Sequence, residues 1–239
     1  MRVLIGAVSL VLIPAGALVF WDAFRALVEH GPRLWIMIPG LIAGMLIDQV
    51  VFRRHPRMNT FEHELTHALV ALLFLRGVNR FVVTDRGGMV SHTGGFGGTF
   101  ADDHIGFAPY YLPTFTLLGV LVRPWVPAAG LQYFDFGIAA TLGFHVWSTV
   151  NETSRSWTSR RFQLAGTGEW TQSDIGSRGF VYSFLFIASM SLLTHALVFA
   201  IWLKGYAGVG WWWRRLMVYV EQGWSRFWPR FVEYVNGIM

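Results

Sequence analysis

The sequence predicts an all-α polytopic membrane protein with about five to six transmembrane helices, a small β-hairpin and a C-terminal amphipathic helix. Hydrophobic residues make up 54% of the chain and charged residues only 14%, whereas a soluble domain carries about 25% charged residues. Apolar runs long enough to cross a bilayer recur along the chain, and the last segment places aromatic residues and arginines at helical spacing. Together these observations favour a chain dissolved in lipid.

The first two apolar runs predict a transmembrane hairpin within residues 1–57. Its two spans cover residues 3–27 and 34–52, and each is long enough to cross a bilayer. The run that follows Met1 and Arg2 resembles a signal peptide, but its apolar stretch continues too far for one. We therefore expect a retained first helix.

Residues 58–204 are predicted to form the core of the protein. A β-rich run, a glycine turn and a second short run predict a β-hairpin at residues 81–92. The apolar helix at 136–150 is short, so it is either a tilted span or a re-entrant segment. The other predicted helices cover residues 60–75, 105–122 and 180–203, and a long polar stretch at 151–177 precedes the last of them.

The final segment, residues 205–239, predicts an amphipathic tail. A basic, Trp-rich helix of this type favours a position in the plane of the lipid headgroups. The alternative is a packing surface for a membrane-protein partner. The apolar positions at helical spacing are Trp213, Leu216, Val220, Trp224, Phe227 and Phe231, and the arginines among them are Arg214, Arg215, Arg226 and Arg230.

The net charge of +5 comes from arginine, because Lys204 is the only lysine. Arginines of a membrane protein mark cytoplasmic loops and headgroup contacts, so we expect membrane lipid as a partner and no nucleic acid. The basic loop 53–57 and Arg2 lie on one side of the membrane if the first two spans form. The positive-inside rule then places the N-terminus in the cytoplasm. Because the chain has no cysteine, any metal must be bound by His, Asp or Glu.

The motif His63-Glu64-Leu65-Thr66-His67 lies inside a predicted membrane-embedded helix. Histidines four residues apart share one face of a helix, so their two imidazoles can bind one zinc ion (Zn2+). Zinc lowers the pKa of a coordinated water to about 7, and Glu64 is placed to take a proton from the attacking water and pass it to the leaving amine. Buried His and Glu are costly in lipid unless they are used. The alternative is a set of polar residues that hydrogen-bond between helices.

With this motif, the segment Phe61-Glu62-His63-Glu64-Leu65-Thr66-His67-Ala68-Leu69 resembles the motif helix of the site-2 protease family of intramembrane zinc metalloproteases. The hairpin after the motif helix and the proline-containing span after the hairpin are similar in arrangement to that family. The resemblance covers residues 59–203. It departs from the family at Thr66, where Gly or Ala is more frequent.

The resemblance implies a third zinc ligand, an aspartate at the start of a later helix, usually within an Asp-Gly motif. This chain has no Asp-Gly there, and two aspartates remain as candidates. Asp174 opens the last span and resembles the Ser-Asp signature of compact bacterial members, so it is our first choice. Asp135 opens the shorter helix and is favoured by counting spans. Either residue could instead cap its helix.

Several other polar residues have possible roles. His145 is a candidate for a residue that supports the site or lines a substrate channel, and His195 and Asp48 are weaker candidates. Asn59 and Glu62 resemble a capping pair, which predicts a helix start near Thr60. The remaining expectations are that Asn151 and Glu152 anchor a substrate strand, that His92 and His104 are loop residues, and that residues 94–98 form a flexible loop.

The sequence therefore predicts an intramembrane zinc metalloprotease of the bacterial inner membrane. Glu64 would be its catalytic base, and His63, His67 and Asp174 would be its metal ligands. Its substrate would be a transmembrane protein cleaved near the cytoplasmic face. The alternative is a membrane scaffold or accessory subunit that keeps the protease fold without catalysis. The missing Asp-Gly and the long aromatic tail favour that alternative, whereas the intact motif argues against it.

Overall fold

The structure is a computed structural model that describes residues 2–29, 34–52, 55, 57–85, 87–164, 175 and 178–236. The described chain is mostly helical, with one two-stranded sheet. The elements in chain order are α1 (Arg2–Glu29), α2 (Leu34–Ile47), α3 (Arg57–Leu73), β1 (Gly77–Thr84), β2 (Gly87–Thr93), α4 (Gly98–Tyr111), α5 (Thr114–Val122), α6 (Leu131–Leu164), α7 (Phe180–Lys204) and α8 (Ala207–Asn236). A π-helical turn, Asp48–Phe52, continues α2, and two short 3-10 turns, Arg123–Trp125 and Ala128–Gly130, lead from α5 to α6.

Three helices of the described chain are long and apolar enough to cross a membrane: α1, α2 with its π-helical turn, and α7. The expected number of five to six spans is not confirmed. The motif helix α3 has 17 residues, and α6 has 34 residues, of which the second half is rich in polar and charged side chains.

The expected span at residues 105–122 is broken in the middle. Helix α4 ends at Tyr111 and α5 begins at Thr114, with an angle of 80° between the two halves. The break lies at Pro113, which caps α5, and Leu112 before it has an extended backbone. A proline disfavours the helical conformation at the preceding residue, which explains why the helix stops there. The pair is therefore either one bent span or a re-entrant loop.

Helices α2 and α6 lie in close contact through glycines. The backbone of α6 at Ala140 approaches Gly44 so closely that a side chain at Gly44 would overlap it, and the backbone of Leu41 leaves equally little room at Gly143. Helix α1 packs along α7, and one buried core joins their residues Val19, Val198 and Trp202 with residues of α2 and α6. Helix α6 meets the motif helix through two side-chain pairs, Glu152 with His63 and His145 with Glu62.

Two predicted helix starts are wrong. Helix α3 begins at Arg57, and the Asn59 side chain does not cap it but donates from Nδ2 to Asp48 Oδ1 at 2.7 Å. Helix α6 begins at Leu131, so Asp135 lies in its second turn instead of opening it. Helix α6 also runs through the start of the polar stretch, and this brings Glu152 to α3.

The predicted hairpin is confirmed, with longer strands than expected. Strands β1 and β2 pair antiparallel, with Phe81 opposite Val90 and an irregularity between Val78 and Arg80. The hairpin follows α3 directly in the chain and packs on it. It therefore lies over the helix that carries the His-Glu motif.

The tail forms helix α8, and its first half packs on α1 and α7. Leu216 is buried in the core, Trp212 donates from Nε1 to the Leu193 carbonyl at 3.1 Å, and Tyr219 donates to Asp22 at 2.6 Å. Trp213 and Trp224 are each 53% exposed. The predicted apolar positions are therefore divided, since Leu216 and Val220 pack on the core whereas Trp213 and Trp224 are exposed.

Candidate functional site

Helix α3 presents both motif histidines on one face. The ring centroids of His63 and His67 are 4.8 Å apart, and the rings are steeply inclined to each other at 73°. His67 is buried, and the His63 side chain is only 16% exposed. The spacing of four residues thus produces the paired imidazoles that the sequence predicts.

The Nδ1 atom of each motif histidine is bound to an acceptor from another helix. His67 Nδ1 lies 2.6 Å from the carbonyl oxygen of Ile105 in α4. His63 Nδ1 lies 3.1 Å from Glu152 Oε2 in α6. Because a carbonyl or carboxylate oxygen only accepts, both Nδ1 atoms must donate. In the neutral rings the lone pair is then on Nε2, the arrangement that metal-binding histidines adopt when a carboxylate or carbonyl orients them.

Glu64 is buried beneath the hairpin, at 6% exposure. A methyl group added at Gly88 of β2 would overlap its Cγ atom and lie 2.6 Å from its Oε1 atom. The glycine turn predicted from the sequence therefore has a second role, because it lets the backbone of the hairpin approach this carboxylate.

A cavity of about 680 Å³ opens between α3, the hairpin, α4 and the start of α7. His63, Glu64 and His67 line it together, and β2 forms one wall. The other lining side chains with chemical function are His92, Asp102, Tyr110, Glu152 and Arg178. The cavity is thus rich in polar groups although it lies among apolar helices.

His92 and Arg76 belong to this site although the sequence does not single them out for it. His92 lies on β2 and lines the cavity, so it is not a loop residue. Arg76 contacts it through Nη1 and forms an ion pair with Asp102. No sequence pattern joins these residues, which are brought together because the hairpin and α4 both pack on α3.

Arg178 lines the cavity from the side of α7. Its Nε lies 2.8 Å from Asp103 Oδ1, and its Nη2 donates to the Asp102 carbonyl at 2.9 Å. Tyr182 also donates to Asp103, at 2.6 Å. These contacts attach the start of α7 to α4 at the edge of the cavity.

Of the two aspartates predicted as the third ligand, the structure describes only Asp135. Asp174 lies outside the described residues. Asp135 does not line the cavity; it is buried and accepts from Arg123 Nε at 2.5 Å, from Arg123 Nη2 at 2.9 Å and from Trp202 Nε1 at 2.7 Å. These contacts occupy both carboxylate oxygens of Asp135 with a structural ion pair. Within the described part of the chain, no group of three or more His, Asp and Glu side chains is placed to hold a metal ion.

The remaining singled-out residues each have a partner within the described part of the protein. His145 is buried with Nδ1 at 3.6 Å from Glu62 Oε1, and its ring centroid lies 5.8 Å from that of His195. Asp48 accepts from Asn151 at 3.3 Å and so connects the end of α2 to α6. Glu152 contacts His63, and Asn151 donates to Asp48. His104 lies inside α4 and not in a loop, with Nδ1 at 3.0 Å from the Tyr111 hydroxyl.

Comparisons with protein-family models, with curated proteins and with solved structures find no match for this chain. A function for the chain therefore has to be argued from the geometry of the site.

Proposed function

We propose that this chain is an intramembrane zinc metalloprotease that hydrolyses a peptide bond of a membrane-spanning protein. The observation that carries the proposal is the pair of hydrogen bonds at His63 Nδ1 and His67 Nδ1. Polar residues that only join helices have no need for two histidines with the same tautomer on one helix face. A metal ion held by both Nε2 atoms does need it.

Two described residues fit as ligands of one zinc ion. His63 and His67 would supply the nitrogen ligands, and a zinc site that hydrolyses takes about three protein ligands and one open position. Asp174 is the proposed third ligand. It directly precedes Ile175, which is buried, and it lies four residues before Arg178, which lines the cavity.

When bound, zinc supplies a water that is acidic enough to be deprotonated near neutral pH. Glu64 would accept a proton from the attacking water, because its carboxylate lines the same cavity as both histidines. The same carboxylate then returns the proton to the amine as the peptide bond breaks. The burial of Glu64 beneath Gly88 limits the access of bulk water to the reaction.

Strand β2 supplies a surface for an extended substrate. Residues 87–90 of this strand line the cavity opposite the motif helix. An unwound substrate segment that pairs with such a strand presents its backbone to the metal and the base. A helical substrate would keep its peptide groups within its own hydrogen bonds, so we expect cleavage where the substrate helix unwinds.

The location of the protein belongs to the same proposal. We place it in the bacterial inner membrane with its N-terminus in the cytoplasm and five to six crossings in all, counting α3, the bent pair α4–α5 and α6 with the three apolar helices. The basic residues around the end of α2 support this orientation. The exposed Trp213 and Trp224 of α8 support contact with lipid headgroups or a membrane partner.

The second candidate function is a membrane scaffold without catalysis. It is favoured by the exposed aromatic residues Trp213 and Trp224 on one face of α8. The two proposals differ in metal content, since a scaffold has no need for zinc.

The test measures zinc and cleavage in one detergent preparation. Elemental analysis of the purified protein should give one zinc per chain, and a single-pass model peptide should be cut. Glu64→Gln should keep zinc and abolish cleavage, because an amide cannot accept the proton. The matched control is Glu221→Gln, the same change on the exposed surface of α8. A wild-type protein that holds no zinc, or a Glu64→Gln variant that cleaves normally, contradicts the proposal.

A further inference from the structure

We propose that His92 is a further catalytic residue, which donates a hydrogen bond from Nε2 to the oxyanion that forms when water adds to the substrate carbonyl. This inference rests on the proposed protease function and names a group that the motif does not contain. It follows from the position of His92, from its hydrogen bond with Arg76 and from the fixed placement of Arg76.

The position of His92 is suited to that role. It lies on β2 opposite Val78 of β1, on the strand that forms one wall of the cavity. Glu64 and His67 line the same cavity from α3. A carbonyl group attacked between the base and the strand would thus have the His92 ring beside it.

The contact with Arg76 determines which ring nitrogen carries the proton. Arg76 Nη1 lies 3.3 Å from His92 Nδ1. A guanidinium group has only donors, so Nδ1 must accept, and in the neutral ring the proton is on Nε2. This is the opposite of His63 and His67, whose Nδ1 atoms donate. In the neutral rings, His63 and His67 therefore carry the proton on Nδ1 and leave Nε2 free to bind a metal, whereas His92 carries it on Nε2 and can donate from there.

Arg76 is itself held firmly, so this tautomer is built into the structure. Its Nη1 donates to Asp102 Oδ1 at 2.5 Å and its Nη2 to the Gly98 carbonyl at 3.2 Å. Gly95, at φ +75°, lies so close that a side chain there would be 3.0 Å from the Arg76 backbone nitrogen and 2.5 Å from its Cγ. The glycine-rich segment 94–98 thus contacts Arg76 through its backbone.

The charge state of the ring agrees with this geometry. Burial, and then the positive charge of Arg76, lower the pKa of His92 below its ordinary value, against a smaller opposite effect of Asp102. The imidazole is therefore neutral near pH 7, as a hydrogen-bond donor of fixed tautomer has to be.

The step balances without a further reactant. Water adds to the carbonyl carbon, Glu64 takes one proton of the water, and the carbonyl oxygen becomes an oxyanion. His92 Nε2–H donates a hydrogen bond to this oxygen and keeps its proton throughout. When the carbon–nitrogen bond breaks, the proton on Glu64 goes to the amine, and the carbonyl reforms as a carboxylic acid that ionises. Removal of one donor of this kind lowers kcat by about 10²–10³-fold.

The first test reads the tautomer directly and needs no activity. Nitrogen NMR of histidine-labelled protein, with the His92→Gln variant used to assign the signal, distinguishes a proton on Nε2 from one on Nδ1. We expect Nε2–H. A proton on Nδ1 overturns the proposal whether or not the protein is a protease.

The second test separates a catalytic role from a structural one. His92→Phe keeps a ring without a donor, and His92→Gln places an amide donor near the Nε2 position. His92→Phe should keep zinc and the KM for a model transmembrane peptide but lower kcat by about 10²-fold, and His92→Gln should recover part of this loss. Binding of a phosphinic peptide, whose oxygens imitate the oxyanion, should weaken in His92→Phe, whereas binding of an uncleaved peptide should not.

The control is His55→Phe, the same change at an exposed position, which should behave like wild type. Loss of zinc from His92→Phe, or an unchanged kcat, rejects the role of His92 alone. A wild-type protein without zinc or cleavage rejects the proposed function instead, so the two failures are distinguishable.

Discussion

Gly88 lies directly against Glu64: a Cβ atom at Gly88 would be 2.6 Å from Glu64 Oε1 and would overlap its Cγ. Gly88 belongs to the hairpin and Glu64 to the motif helix. Because Gly88 has no side chain, the Glu64 carboxylate can lie against the backbone of the hairpin. The hairpin therefore limits where the Glu64 carboxylate can lie, in addition to forming one wall of the cavity.

Gly88→Ala should displace the Glu64 carboxylate and lower cleavage by at least about 10-fold, since a shift of one ångström in a catalytic group costs up to about 10²-fold. Zinc content should stay unchanged because the histidines are not touched. The matched control is Gly137→Ala in α6, where a methyl group meets nothing within 4 Å. Normal cleavage by Gly88→Ala would show that Glu64 does not need this contact.

Glu152→Ala should weaken zinc binding by about 10–100-fold, which is the usual effect of losing a group that orients a metal-bound histidine. Glu152→Gln should lose less, because its amide oxygen can still accept from His63 Nδ1. Competition with a zinc chelator measures both affinities. If both variants bind zinc as tightly as the wild-type protein does, the Glu152 carboxylate does not orient His63.

The two aspartates should respond differently to removal. Asp174→Ala should lower zinc affinity steeply, because it removes the proposed third ligand. Asp135→Ala leaves Arg123 unpaired in a buried site, which typically costs about 3–5 kcal/mol of stability, but the folded fraction should keep its zinc. Zinc content and thermal unfolding, measured on both variants in the same detergent, distinguish these results. Loss of metal from Asp135→Ala alone would identify Asp135 as the ligand instead.

A chain shortened after Gly223 should keep both zinc and fold. The residues of α8 that pack on α1 and α7, including Leu216 and Tyr219, lie before this point. The shortened chain should bind anionic vesicles less strongly, because it loses Trp224 and the arginines that follow it. Zinc loss on truncation would place the end of the tail in the catalytic core.

The sequence by itself determined the features that depend on neighbours along the chain. The spacing of His63 and His67 is enough to put two imidazoles on one helix face. The β-rich runs around a glycine turn are enough to predict the hairpin, and hydropathy is enough to identify α1, α2 and α7 as candidate spans. Each of these features depends on residues that are close together in the sequence, so it can be predicted without knowing how distant parts of the chain pack.

Only the tertiary structure decided how distant residues pair. Asp135 is a good ligand by type, but Arg123 and Trp202 occupy its carboxylate. Glu152 and His63 are separated by 89 positions in the chain, and they meet because α6 and α3 come together in the folded protein. His92 becomes a hydrogen-bond donor because Arg76 faces its Nδ1. The role of a carboxylate or an imidazole depends on the group that lies beside it, and the packing of the helices and the hairpin determines which group that is.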